Sequence, residues 1–203
     1  MEFFCFHRDR SDSLALRERL LEEHWSYMDR FDEVMIARGP AFTDEDVLVG
    51  SVHIVDLPDA TAARAFAFDE PGYQAGAYRD VLLRRWRNLL GRTMWDFPGR
   101  EEEADRFLVI GLGAAPMDDA GSSDDRGPSD DTGPWEDTAP LGIVSLDTDS
   151  LVAYGPLLSD DGSTWLGTAA LVQADNPGQA GRILRADRYS DIEVHHWTFG
   201  GRR

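Results

Sequence analysis

The apolar pattern changes period along the chain, and each change marks an element. Residues 2–7 are a Phe-rich run that reads as a first strand, and residues 47–57 are a strongly β-branched one. Between them, Leu16, Leu20, Leu21, His24, Trp25, Tyr27, Met28 and Phe31 fall on one broad arc at about 100° per residue, an amphipathic helix. Ser11, Asp12 and Ser13 are its candidate N-caps, and it is predicted to run through about residue 31. His24 lies near the middle of the apolar arc, not at its polar edge. Residues 34–37 predict a short strand ending at Gly39-Pro40, a turn signal. Pro58-Asp59 opens a second helix over residues 60–68, residues 69–76 read as a loop, and residues 78–86 as a closing strand. The order β-α-β-β-α-β is the ferredoxin-like split motif.

The second half echoes the first in thinned form. Tyr154-Gly155-Pro156 and Gly167-Thr168 repeat Arg38-Gly39-Pro40 and Gly50-Ser51, and His195-His196-Trp197 echoes Arg84-Arg85-Trp86. Strands are predicted over residues 107–112, 151–157, 165–174 and 191–199, with a helical stretch over 177–186. No His stands where His24 should recur. Between the halves, residues 123–128 and 129–134 form a six-residue tandem repeat, Ser-Asp-Asp-Arg-Gly-Pro then Ser-Asp-Asp-Thr-Gly-Pro. This acidic, Gly/Pro-rich segment, 117–138, is expected to be disordered, in the place of the second copy's first helix. The predicted organisation is therefore a site-bearing module over 1–97, a linker over 98–138 that includes the repeat's first strand (106–112), and a degenerate module over 139–203. Internal similarity of this kind constrains architecture more than local propensity does.

Composition narrows the chemistry. The formal net charge of −18 argues against phosphate-backbone binding and against a polybasic membrane contact. All the basic residues are Arg, so a Schiff-base lysine, a pyridoxal-phosphate site and a phosphate-loop Lys are excluded. The single Cys5, in Phe3-Phe4-Cys5-Phe6, reads as a buried strand thiol and rules out a multi-Cys zinc site. The sparse His set carries neither His-x-x-x-His nor His-Glu-x-x-His, so no metal is expected. No cofactor motif is present. Gly111-Leu112-Gly113-Ala114-Ala115-Pro116 lacks the third Gly of a dinucleotide fingerprint. No run reaches the ~18 apolar residues of a membrane span, and no signal peptide is visible, so the cytoplasm is the expected location.

An imidazole on an apolar helix face is costly without a partner. Asp69 and Glu70 follow the second helix, and the fold packs its two helices side by side on one sheet face. A carboxylate reaching His24 would fix its tautomer. Period-two alternation sets Ser51, His53 and Val55 on one face of their strand and Val52, Ile54 and Asp56 on the other. Ser51 and His53 thus form a candidate polar patch. The Pro71-Gly72-Tyr73 and Ala75-Gly76 pairs predict close backbone approach, with Tyr73 offering a phenol. His195 and His196 point to opposite faces and cannot readily share a metal, and an edge-strand or surface role is expected. His7 reads as loop.

Taken together, His24, Gly39-Pro40, Gly50-Ser51 and Asp69-Glu70-Pro71-Gly72-Tyr73-Gln74-Ala75-Gly76 resemble the YCII-related proteins over roughly residues 1–90. The resemblance implies an α+β fold of ferredoxin-like modules that pair sheet to sheet into a dimeric α+β barrel, here within one chain as a pseudo-dimer. It implies a His–carboxylate acid/base pair, His24 with either Asp69 or Glu70, because Glu70 stands where Asp before Pro is usual. Arg38, Gly39, Pro40, Ser51, His53 and Tyr73 would line the pocket. The activity implied is cofactor-independent proton transfer of a lyase, isomerase or dehalogenation type on a small, often aromatic, molecule. Two alternatives stand beside it: a non-catalytic module binding a small ligand or partner, and, on fold analogy alone, a cofactor-free monooxygenase or lactone isomerase. The expected state is a monomeric pseudo-dimer or a homodimer, with no nucleic-acid or membrane partner.

Overall fold

The computed structural model describes residues 1–100, 103–113 and 148–201. The N-terminal half runs β1 (Glu2–Asp9), α1 (Leu14–Arg19), α2 (Leu21–Met28), β2 (Met35–Phe42), β3 (Leu48–Asp56), α3 (Ala60–Phe68), α4 (Pro71–Gln74) and β4 (Tyr78–Trp86). The C-terminal half contributes β5 (Arg106–Leu112), β6 (Leu151–Leu158), β7 (Trp165–Gln173), α5 (Pro177–Gly181) and β8 (Asp191–Trp197). All eight strands close into one antiparallel barrel in the order β1-β3-β2-β8-β5-β7-β6-β4. The first four strands are thus ordered β4-β1-β3-β2 and the last four β8-β5-β7-β6. Short ladders join the two sets, Ala41–Phe42 with His196–Trp197 and Arg85–Trp86 with Leu157–Leu158.

Alternation along each strand sorts side chains between the barrel interior and the outer, helix-covered surface. Phe4, Phe6, Val52, Ile54, Leu82, Trp86, Leu108, Ile110, Leu171 and Trp197 fill the interior. Phe3, Cys5 and Val55 face outward in the first half and pack under Tyr27, Met28, Ala63, Phe66 and Ala67. In the second half, Phe107, Val109, Ala170 and Val172 pack under Ala180, Leu184 and Tyr189. The predicted faces of β3 are found: Ser51, His53 and Val55 lie on the helix side, and Val52 and Ile54 inside. Cys5 is buried, as its Phe-rich context predicts, and burial raises its thiol pKa.

Several expectations change. The first predicted helix is broken at Leu20, whose N–H is shared between the carbonyls of Leu16 and Arg17, and the helical run ends in a 3-10 turn over Asp29–Val34. Gly39-Pro40 is no turn. It lies inside β2, with Gly39 opposite Val52 and Pro40 opposite Ser51. A Cβ at Gly39 would fall 1.9 Å from the Thr198 carbonyl oxygen and 2.8 Å from Trp197 Nε1. The other half mirrors this: a Cβ at Gly155 would fall 1.8 Å from the Arg87 oxygen and 2.8 Å from Trp86 Cε2. Gly200 N–H donates to the Arg38 carbonyl, and Leu89 N–H donates to the Tyr154 carbonyl. Each Gly-Pro pair is therefore the place where the chain leaving the other half's last strand crosses at backbone contact. Residues 69–76 are not all loop, since α4 makes one turn there. His195 and His196 do point to opposite faces, toward Phe6 and Phe107, but β8 is paired on both sides and is not an edge. The acidic segment 117–138 lies outside the described residues.

Candidate active site

α2 carries His24 over the outer face of the first half, and the turn from α3 into α4 brings an acid to meet it. The acid is Glu70. His24 Nδ1–H donates to Glu70 Oε1 at 2.8 Å, and Tyr73 N–H donates to Oε2 at 2.8 Å. Glu70 is the N-cap of α4, so the cap that starts the helix also aims the carboxylate. Asp69 ends α3 and faces solvent. Gly72 explains itself by space: a Cβ there would lie 2.7 Å from the Tyr78 hydroxyl and 3.0 Å from Glu70 Oε2.

Glu70 is 0% exposed. Burial pushes its pKa up, but the hydrogen bond and charge of His24, the charge of His7 and the Tyr73 N–H outweigh that and bring it down to about 2. The carboxylate is ionised across the neutral range and accepts the Nδ1 proton. The other imidazole nitrogen, Nε2, is then left to act as a base.

His24 lines a cavity of about 300 Å³. Leu21, Trp25 and Met28 of α2, with Phe42, Leu48 and Pro40, make its apolar walls. Its polar lining is Arg17, Arg38, Ser51, His24 and His53, and the wall is completed by Phe199, Gly200 and Gly201 from beyond β8. Each cation has a counter-charge. Arg17 Nη1 donates to both Asp9 oxygens at 2.8 and 2.7 Å, and Arg38 Nη1 donates to Asp32 at 3.0 Å. Arg17 Nη2 also donates to Ser51 Oγ at 2.7 Å. A third imidazole, that of His7, packs beside His53 outside the lining. His53 stands 5.7 Å ring to ring from both His24 and His7. His7 Nε2–H donates to the Ala67 carbonyl at 2.8 Å. Burial lowers both pKa values, that of His53 well below 6.5, and the charges of neighbouring groups add to the effect on His53.

The structure thus brings His24, Glu70, Arg38, Gly39, Pro40, Ser51 and His53 to one place and leaves two expected residues outside it. Asp69 points away, because consecutive residues at a helix end diverge. Tyr73 packs its ring on Phe68 at 4.9 Å, is 38% exposed and does not line the cavity; only its backbone reaches the site. His7 is not loop but part of β1, 0% exposed. Its alternation with Cys5 was the available signal. Arg17 was missed although it precedes His24 by seven residues, two turns of a helix. Nothing in the sequence marks Phe199 as a wall of this cavity.

The strand registers carry the comparison into the second half. Pro156 stands opposite Thr168 as Pro40 does opposite Ser51, and Gly111 opposite Thr168 as His7 does opposite Ser51. Tyr154 pairs with Ala170 as Arg38 pairs with His53. The positions of His7, His53 and Arg38 are thus Gly, Ala and Tyr. The space is taken: the Tyr189 ring lies 2.4 Å from where a Gly111 Cβ would be, and its hydroxyl donates to Thr168 Oγ1 at 2.8 Å.

The fold is an α+β barrel of eight antiparallel strands. A model of the YCII-related domain matches residues 1–87. Among solved structures, an anthrone oxidase-like protein superposes with a TM-score of 0.52 at 11% identity, over 98% of this chain and 90% of that one. A putative monooxygenase from Lactobacillus acidophilus NCFM gives a TM-score of 0.48 at 8% identity, over 97% of this chain and 93% of that one. The 5-chloro-2-hydroxyhydroquinone dehydrochlorinase TftG from Burkholderia phenoliruptrix AC1100, in complex with 2,5-dihydroxybenzoquinone, gives 0.40 at 24% identity, over 43% of this chain and 94% of that one. No curated protein matches the chain. No helix among the described residues is long and apolar enough to cross a membrane.

Proposed function

We propose that this protein is a small enzyme of the YCII-related type that moves a proton on a small molecule held in the cavity, with His24 and Glu70 as its acid/base pair. The observation that carries this reading is the 2.8 Å bond from His24 Nδ1 to a buried, ionised Glu70, with the same imidazole on the wall of a mainly apolar cavity. His24 Nε2 takes a proton from the substrate, and the imidazolium that forms is held by the Glu70 carboxylate. The same imidazolium returns the proton, to the substrate in an isomerisation or to a departing group in an elimination. Lyase, isomerase and dehalogenation-type reactions share this step. The cavity's size, at the lower end for ligand sites, and its aromatic walls suit a one- or two-ring molecule.

In the same reading the chain is a tandem of two ferredoxin-like modules, one working and one structural. The matching strand orders, the paired registers and the filled second site support it. The test is turnover of a panel of enolisable and halogenated one-ring compounds by the wild type and by His24→Gln. We expect the variant to fold and to lose at least about a hundredfold in rate, the usual scale of general acid–base catalysis. Undiminished turnover in the variant would sink the assignment. Ligand binding with no turnover in either protein would identify a binding module.

A further inference from the structure

β3 brings His53 to the cavity wall, 2% exposed, one strand period from Ser51. Its ring is clamped edge-on by His7 and by Phe66, each at 5.7 Å, and is tilted 56° against His24. Its Nδ1 is sealed from solvent and has no hydrogen-bond partner among the described residues, which leaves Nε2 as the nitrogen at the cavity. A neutral imidazole carries one donor and one acceptor. A buried N–H without a partner is rarer and costlier than an under-used acceptor. The tautomer that avoids it places the proton on Nε2 and leaves the bare Nδ1 lone pair inside. Ser51 Oγ accepts from Arg17, so its own hydroxyl proton is also available on this face. The cavity therefore opposes a base, His24 Nε2, with donors on β3. Its two guanidinium groups are each matched by a carboxylate and leave no unbalanced positive charge for a carboxylate or phosphate.

We propose that His53 is the positioning hydrogen-bond donor of this site, presenting Nε2–H to a carbonyl or phenolic oxygen of an otherwise apolar, flat ligand, opposite His24 Nε2. This rests on the acid/base reading of the cavity and names the class of molecule it takes: one whose acidic hydrogen neighbours a neutral oxygen acceptor. The donor steadies the negative charge that grows on that oxygen as the proton leaves.

The test uses the full chain labelled with ¹⁵N, and acetophenone, a neutral one-ring ketone with an enolisable hydrogen, as the probe. Long-range proton–nitrogen correlations report which ring nitrogen of His53 bears the proton, with His53→Leu assigning the signals. We expect Nε2 protonated and Nδ1 bare between about pH 6 and 8, and an Nε2 shift on adding the probe. We further expect His53→Gln, which keeps an N–H donor, to bind the probe within about twofold of wild type, and His53→Leu to bind about tenfold more weakly, the scale of one hydrogen bond. A proton on Nδ1, an Nε2 unmoved by the probe, full affinity in His53→Leu, or no binding to the wild type would each overturn the proposal. His53→Gln can assign the signals in place of His53→Leu, so the wild-type tautomer is still read if His53→Leu fails to fold. Loss of turnover in His24→Gln with full probe affinity in His53→Leu removes the role of His53 and keeps the acid/base pair. The reverse pattern, an Nε2 shift and weakened His53→Leu binding but no turnover by any variant or wild type, keeps His53 as a ligand donor and removes the chemistry.

Discussion

At the scale of single residues, the buried imidazoles and the carboxylate set the acid limit of the fold. His7 and His53 have folded pKa values below their ordinary 6.5, so the unfolded chain binds more protons as pH falls through that value. Their contribution is complete above about pH 6.5 and shrinks below it. Glu70 behaves likewise further down: its stabilisation is present above 4.5 and is lost as pH falls toward about 2. Urea unfolding followed across pH should therefore show constant stability at neutral pH, a decline beginning near 6.5, and a further loss below 4.5. His53→Leu should flatten the first decline, and a stability unchanged from neutral pH down to 5 would rule the account out. Glu70→Ala strands both the His24 Nδ1–H and the Tyr73 N–H, and we expect a cost of about 3 kcal/mol in the same assay. The sequence places His24 and an acid in the same region, because helix phase and the order of elements are local signals. It leaves Asp69 and Glu70 undecided, since the choice depends on which of two neighbours caps α4.

At the scale of elements, β2 shows how a local signal is overridden. Gly39-Pro40 has the composition of a turn, yet it sits mid-strand because Gly is required by the crossing of Thr198 and Trp197, and Pro40, opposite Ser51 in the β2–β3 ladder, lies just outside the short joint of Ala41 and Phe42 with β8. That reason lies some 160 positions away along the chain and has no trace in the neighbouring sequence. Gly39→Ala and Gly155→Ala should each destabilise the fold by about 1–3 kcal/mol or more, as forced overpacking does, with a lowered midpoint in thermal unfolding. Equal behaviour is expected at the two sites, and a silent substitution at either would refute the joint described here. Tyr189 makes the opposite case. Its ring packs over Gly111 and its hydroxyl donates to Thr168, so Tyr189→Ala should open a void at a cost of about 3–5 kcal/mol without creating chemistry, because the register positions of His7, His53 and Arg38 are there Gly, Ala and Tyr. Small-probe binding at two sites with turnover at one would be the signature.

At the scale of the whole molecule, the cavity belongs to both halves. Phe199 and Gly200 follow the last strand of the C-terminal half, yet they wall the site built on α2 and β3 of the N-terminal half, anchored by the Gly200 N–H on the Arg38 carbonyl. Phe199→Ala should leave the His24–Glu70 pair in place but loosen ligand binding, seen as a raised KM with kcat little changed. The strands and their faces were largely legible from alternation, and β4 matches its predicted bounds at residues 78–86. The part of the cavity wall made by Phe199 and Gly200 was not, because it depends on how the barrel closes, which local periodicity does not encode.

Closure has one more consequence. β2 and β4 are the outer strands of the first sheet, and both are paired, by β8 and β6 of the same chain. Cut after β4, residues 1–87 would carry two bare strand edges and an uncovered apolar face bearing Phe4, Phe6, Val52, Ile54 and Leu82. Such a fragment would have to find a second copy of itself, and its survival would then depend on how much of it was present. Tethering replaces that encounter with an internal one whose effective concentration is fixed by the linker. The intact chain should therefore keep the same melting temperature on dilution, whereas the fragment's should fall.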